Sequence, residues 1–140
     1  MDSIRINTGV KRLVVNDDPA RVIEFNPEDV LFVERFYELI KVFQQKEHEF
    51  QRRIEELKAK EEKDEYGIPL STPESLGLVL EVCDFLRDQI DRVFGKGTSM
   101  AAFGEVQSLD MFEQFFAGVT PFIQSVRSEK ITKYQYKKGK

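Results

Sequence analysis

PEDVLFVERFYELIKVFQQKEHEFQRRIEELKAKEEKD, residues 27–64, decides the fold. After Pro27 it contains no Gly or Pro to interrupt a helix. Its first half, Pro27 to Phe43, carries large apolar residues on several sides. From Gln44 to Glu65, fourteen of twenty-two residues are charged, and the apolar ones are Phe50, Ile54, Leu57 and Ala59. The stretch predicts one long helix, buried at one end and water-facing at the other. Phe36, Phe43, Phe50 and Leu57 recur every seven residues, with Ile40 and Ile54 four positions after the first and third, while Glu47 takes the middle slot. A seven-residue apolar repeat with charged flanks suits a coiled-coil seam. Glu49–Arg53 and Glu56–Lys60 are pairs one turn apart, worth only ~0.2–0.5 kcal/mol each. They do not hold the charged half as a helix alone, so it needs something to pack against.

The flanking sequence completes the plan. Ser3–Asn7 alternates Ile4 and Ile6 with polar residues, and Thr8-Gly9 signals a turn. Val10–Val15 and Arg21–Phe25 are β-branched and aromatic, separated by Asn16-Asp17-Asp18-Pro19. Two or three short antiparallel strands are expected, marginal without a helix against one face. Asn26-Pro27-Glu28-Asp29 reads as a helix start with Asn26 as cap. Tyr66-Gly67-Ile68-Pro69-Leu70 ends that helix or folds it back. Thr72-Pro73-Glu74 opens a second helix, with Val79, Val82, Cys83, Leu86, Ile90, Val93 and Phe94 on one face and Gly95 and Gly97 at its end. After a loop or short helical turn, Ser108 starts a third, striped by Phe112, Phe115, Phe116, Val119, Phe122, Ile123 and Val126. Pro121 inside it predicts a kink. The expected class is mainly α with a small antiparallel β-sheet near the N-terminus (α+β) and three long helices, the first extended and coiled-coil-like. Residues 1–128 form one domain, with the sheet within 1–25, and 129–140 form a flexible basic tail.

Composition narrows the function. Net charge is −4 with a sequence pI near 5.2, which argues against general nucleic-acid binding. Cys83 is the only cysteine, so no internal disulfide forms and a reducing compartment is expected. The beginning lacks an apolar signal core, and no stretch approaches the ~20 apolar residues of a membrane span. A soluble, cytoplasmic protein is expected.

No chemistry stands out. His48, the only histidine, has Gln44, Gln45, Gln51 and Arg52 as helical neighbours, none a good metal ligand, and reads as a surface residue. Cys83 reads as a buried inert thiol. Glu81, Asp84, Asp88 and Asp91 share one side of the second helix, where a hard cation or a basic partner could use them. Trimmed by Arg87 and Arg92, they read as a solvated face. Gly95-Lys96-Gly97-Thr98-Ser99 lacks the earlier Gly and the preceding strand of a phosphate loop. The Lys-rich end, with Tyr134 and Tyr136 interleaved, reads as a solubilising tail before a base-stacking one. With no base, nucleophile, metal cluster or cofactor cradle, an enzyme is not expected.

Ile4 to Arg12, Arg21 to Asp29, Asp64-Glu-Tyr-Gly-Ile-Pro, Phe94-Gly-Lys-Gly-Thr-Ser and Leu109-Asp-Met-Phe-Glu-Gln-Phe-Phe together resemble small proteins of tailed phages and prophages of Gram-positive bacteria. Those proteins look like tail assembly chaperones. The resemblance implies a transient, non-enzymatic helper in the bacterial host cytoplasm that binds helical segments of the tape-measure protein, and tail-tube subunits, without cofactor or membrane. A structural completion or connector protein retained in the virion is the alternative. A homo-oligomer is expected. Phe43, Phe50, Ile54, Leu57, Phe115 and Phe122 are the candidate partner-binding residues.

Overall fold

The computed structural model describes residues 1–60 and 62–138, with side chains as far as Glu129. Two strands form: β1, Lys11–Val15, and β2, Asp18–Phe25. They pair antiparallel, Lys11 opposite Phe25 and Leu13 opposite Ile23. Asn16 and Asp17 both take positive φ, 53° and 57°, the backbone a two-residue hairpin turn with the right twist demands. The register slips between Val14 and Val15, which accommodates Pro19 in β2 where a ladder bond would otherwise be needed. Ile23 and Phe25 point into the core, while Arg12, Glu24, Val14 and Val22 face out. Ser3–Asn7 forms no strand. Asn26 instead donates to the Thr8 carbonyl at 2.6 Å, and Gly9, at φ 90°, donates to the Asn7 side chain at 3.0 Å.

Helix α1, Val30–Ala59, starts later than its Pro implies. Asp29 is the cap, accepting from the Leu31 amide at 3.0 Å. Asn26 accepts from the Glu28 amide and so closes a turn before the helix begins. At its far end α1 stops at Ala59, and the chain folds back. Asp64 organises the reversal: its side chain accepts from the Tyr66 and Ile68 amides at 2.9 and 3.0 Å, and its amide donates to the Ile68 carbonyl. Helix α2, Thr72–Phe94, then runs back along α1, so Phe32 and Phe36 meet Phe94 while Phe50 lies beside Leu78 and Val82. The short α3, Thr98–Phe103, lies between two left-handed glycines, Gly97 and Gly104.

Helix α4, Leu109–Lys138, is unbroken through Pro121. The stretch expected to be a flexible basic tail from 129 is therefore helical and continuous with α4 as far as Lys138; residues 139 and 140 lie outside the described residues. Lysine has good helix propensity, so a run of Lys need not end a helix already anchored by its apolar half.

Phenylalanine holds these elements together. Rings 25, 32, 36, 43, 94, 103, 112, 115 and 116 form one network of centroid distances from 5.0 to 6.1 Å, linking β2 and all four helices. Phe36, Phe112, Leu86, Ile90, Ile123 and Cys83 are fully buried at its centre. Each large apolar side chain buried contributes roughly 1.5–3 kcal/mol, which outweighs the exposed ion pairs such as Arg12–Glu24.

Candidate interaction surfaces

The ring network claims nine of the twelve phenylalanines. The other three, Phe50, Phe85 and Phe122, mark where apolar surface remains uncovered.

Phe50 and Phe85 sit at the helical hairpin formed by α1 and α2. A cleft of about 120 Å³ opens there between Phe50, Leu78, Val82 and Phe85, with Lys46, Glu49, Arg53 and Glu81 on its rim. Lys46 lies over the Phe85 ring at 4.4 Å. Phe50, Ile54 and Leu57 are half-buried. Toward the tip, Tyr66, Ile68 and Leu70 in the connection and Leu76 and Leu80 on α2 are exposed. Leu76 and Leu80 are one helical turn apart, so they form a single ridge.

Two of the expected contact residues are buried. Phe43 meets Phe116 in a tilted pair, centroids 5.2 Å apart, with 6% of its surface exposed, and Phe115 lies between Phe94 and Phe103 with 9% exposed. Both belong to the core, because α2 and α4 cover the α1 seam from within the same chain. The seven-residue repeat is thus an internal seam at Phe36 and Phe43, and a partly open one from Phe50 onward.

Phe122 is 37% exposed on α4, with the Lys11 ammonium 5.2 Å from its ring. At the other end of β1, Val15 shares an open cleft of about 430 Å³ with Met111, Gln114 and Phe115. β1 therefore lies along α4, antiparallel to it. The only charged residue lining that cleft, Arg21, spends its guanidinium on the carbonyls of Ala101 and Ala102, at 2.8 and 2.5 Å.

The polar groups read as candidate chemistry are mostly structural. Asp84 accepts from Gln107 at 2.7 Å, Asp88 pairs with Arg92 at 2.9 Å, and Asp91 accepts from the Ser99 amide and hydroxyl at 2.8 and 3.1 Å. Among the described residues no group of three His, Cys, Asp or Glu could hold a metal ion. His48 is exposed. Burial pushes the Cys83 thiol above its ordinary value, with Arg87 opposing. Burial also raises Glu47, helped by Glu113 across the α1–α4 junction and opposed by His48. No helix among the described residues is long and apolar enough to cross a membrane. Sequence reasoning gave Arg21 no role and Arg87 only the trimming of the acidic face, whereas Arg87 ties the α3–α4 connection through Gln107 at 2.7 Å and the Val106 carbonyl. Their acceptors are distant in the chain, so no local pattern announces them.

A family model described as a family of unknown function, DUF6673, matches residues 20–140. The chain belongs to the DUF6673 family. The match takes in nearly all of β2 and every helix, and leaves β1 and the segment before it outside. Nothing matches among curated proteins, and nothing matches among solved structures.

Proposed function

We propose that this DUF6673 protein is a non-enzymatic tail assembly chaperone of a tailed phage or prophage, working in the bacterial host cytoplasm. Its clients would be helical segments of the tape-measure protein, with tail-tube subunits as further partners. One observation carries the reading beyond resemblance. The hairpin of α1 and α2 keeps Phe50, Ile54 and Leu57 half-covered and leaves Tyr66, Ile68, Leu70, Leu76 and Leu80 open to water.

An amphipathic helix docks by laying its apolar face along such a groove. A tape measure is a long helix-prone chain whose apolar stripes need cover before a tube encloses them. The rim of Lys46, Glu49, Arg53 and Glu81 carries both signs of charge. Rim charges set partner choice and association rate more than affinity, which suits a helper that must let go.

Co-expression with the tape-measure protein tests the proposal. The expected result is co-purification and a larger soluble fraction of the client, both reduced by Leu76→Glu with Leu80→Glu. Absence of both effects with the native chain overturns it. Mass spectrometry of purified particles separates the helper from a structural component: a chaperone is missing from them, and a connector is retained.

A further inference from the structure

Residues 3–7 have the pattern of a strand and no strand to pair with. Ile4 and Ile6 alternate with Ser3, Arg5 and Asn7, and they stand 84% and 74% exposed. Among the described residues the sheet has two strands, so β1 keeps one backbone edge unpaired. Beside β2 lies α3, held there by the Arg21 guanidinium. One chain thus carries both an unpaired strand-like segment and an unpaired edge.

The segment is held away from its own edge. Asn26 grips the Thr8 carbonyl just past the end of β2, and Gly9 lies against Glu28, whose carboxylate would be 1.8 Å from any Cβ placed there. Thr8 and Gly9 are therefore anchored where β2 ends, on the side of β1 that is already paired.

The α4 flank that β1 meets, Lys11 at Phe122 and Val15 across a cleft from Gln114, bears Gln114, Gly118 and Phe122, spaced four apart on one side of the helix. Residues 114–126 contain no charged side chain, in a chain that is 33% charged. A Cβ built at Gly118 meets nothing within 4 Å, so backbone can approach closely there. Two isoleucines can settle on this flank with a single charge to move aside, the Lys11 ammonium 5.2 Å from the Phe122 ring.

We propose that residues 3–7 add as a third strand to the β1 edge of a second copy, Ile4 and Ile6 packing on its Gly118–Phe122 flank, and that two copies exchange these segments reciprocally. Area favours a second copy over a one-way partner. An extended residue exposes about 160 Å², and burying about 60% of it removes ~500 Å² over five residues and as much from the acceptor. One segment gives ~1,000 Å², below the usual range, whereas the reciprocal pair gives ~2,000 Å², the size of a stable interface. Donor and acceptor on one surface also satisfy two-fold symmetry. This inference stands apart from the identity of any client.

Light scattering with size exclusion on the full chain tests it. The native protein is expected at twice the chain mass of 16.3 kDa at tens of micromolar. Ile4→Asp with Ile6→Asp, and separately Gly118→Lys, are expected at the chain mass with unchanged circular dichroism and melting temperature. A photo-crosslinker at position 4 is expected to join residues 11–15 or 114–122 of the other copy. A native monomer overturns the proposal, as does a dimer untouched by either variant or a cross-link confined to other surfaces. Client binding is scored separately by the Leu76 and Leu80 variants, so either proposal can fail alone.

Discussion

The guanidinium of Arg21 on β2 donates to two successive carbonyls of α3, Ala101 at 2.8 Å and Ala102 at 2.5 Å. That fork fastens the hairpin to the helical body from eighty residues away. Arg21→Ala removes both bonds from a part-buried site and is expected to cost about 2 kcal/mol, the range for bonds involving a charged group. Arg21→Lys restores charge without the planar fork and should recover less than half. Urea unfolding followed by circular dichroism reads both.

The α1 seam changes character along its length, and stability should follow. Phe36, with none of its surface exposed, should cost about 3–5 kcal/mol when changed to Ala. Phe50, half-buried beside an open cleft, should cost about 1–2 kcal/mol because less apolar surface is lost. Equal losses at the two positions would show the hairpin end to be as closed as the core.

Glu47 gives a pH signature. Its carboxyl is raised above the ordinary 4.5 by burial first and by Glu113 second, so the folded state holds its proton more tightly than the unfolded state does. With more protons bound in the folded state, stability falls as pH climbs from the unfolded value through the folded one. Below that window the group does not penalise folding. Glu47→Gln should therefore raise the melting temperature at pH 7.5 and change it little at pH 4. Glu113→Gln should have the same sign and a smaller size. A melting-temperature series across pH settles both, and a stabilisation greatest at pH 4 would reverse the assignment.

Cys83 is fully buried with its thiol pushed up by that burial. Thiolate is the reactive form, so a disulfide reagent should modify the native chain no faster than the chain opens, and rapidly in 6 M guanidinium. Cys83→Ser places a hydroxyl in an apolar site and should cost about 1–3 kcal/mol. Fast labelling of the native chain would contradict the burial.

Much of this architecture is legible in the residues, for identifiable reasons. The apolar period from Phe36 to Leu57 marks a helix and its greasy side, but a period cannot say what covers that side. Phe43 is covered by Phe116, seventy-three positions later, and so it reads from sequence as a contact for another molecule. Asn26-Pro27-Glu28-Asp29 contains two good caps, and only the Asp29 bond to Leu31 selects between them. Phe50, Ile54 and Leu57 remain partly open as their charged surroundings suggest. Leu76 and Leu80 escaped notice because they lie off the main stripe of α2. Ile4 and Ile6 show strand alternation in sequence, and the structure leaves them without a partner.

The aromatic core has a bearing on synthesis. Phe25 meets Phe94, Phe94 meets Phe115, and Phe36 meets Phe116, so rings made early wait for rings made late. At about 5–20 residues per second, the nascent chain carries uncovered aromatics for several seconds before α4 leaves the ribosome. Any early stop or pause ahead of Phe116 leaves a product with its greasy half showing, a target for proteases and chaperones that hold unfolded chains.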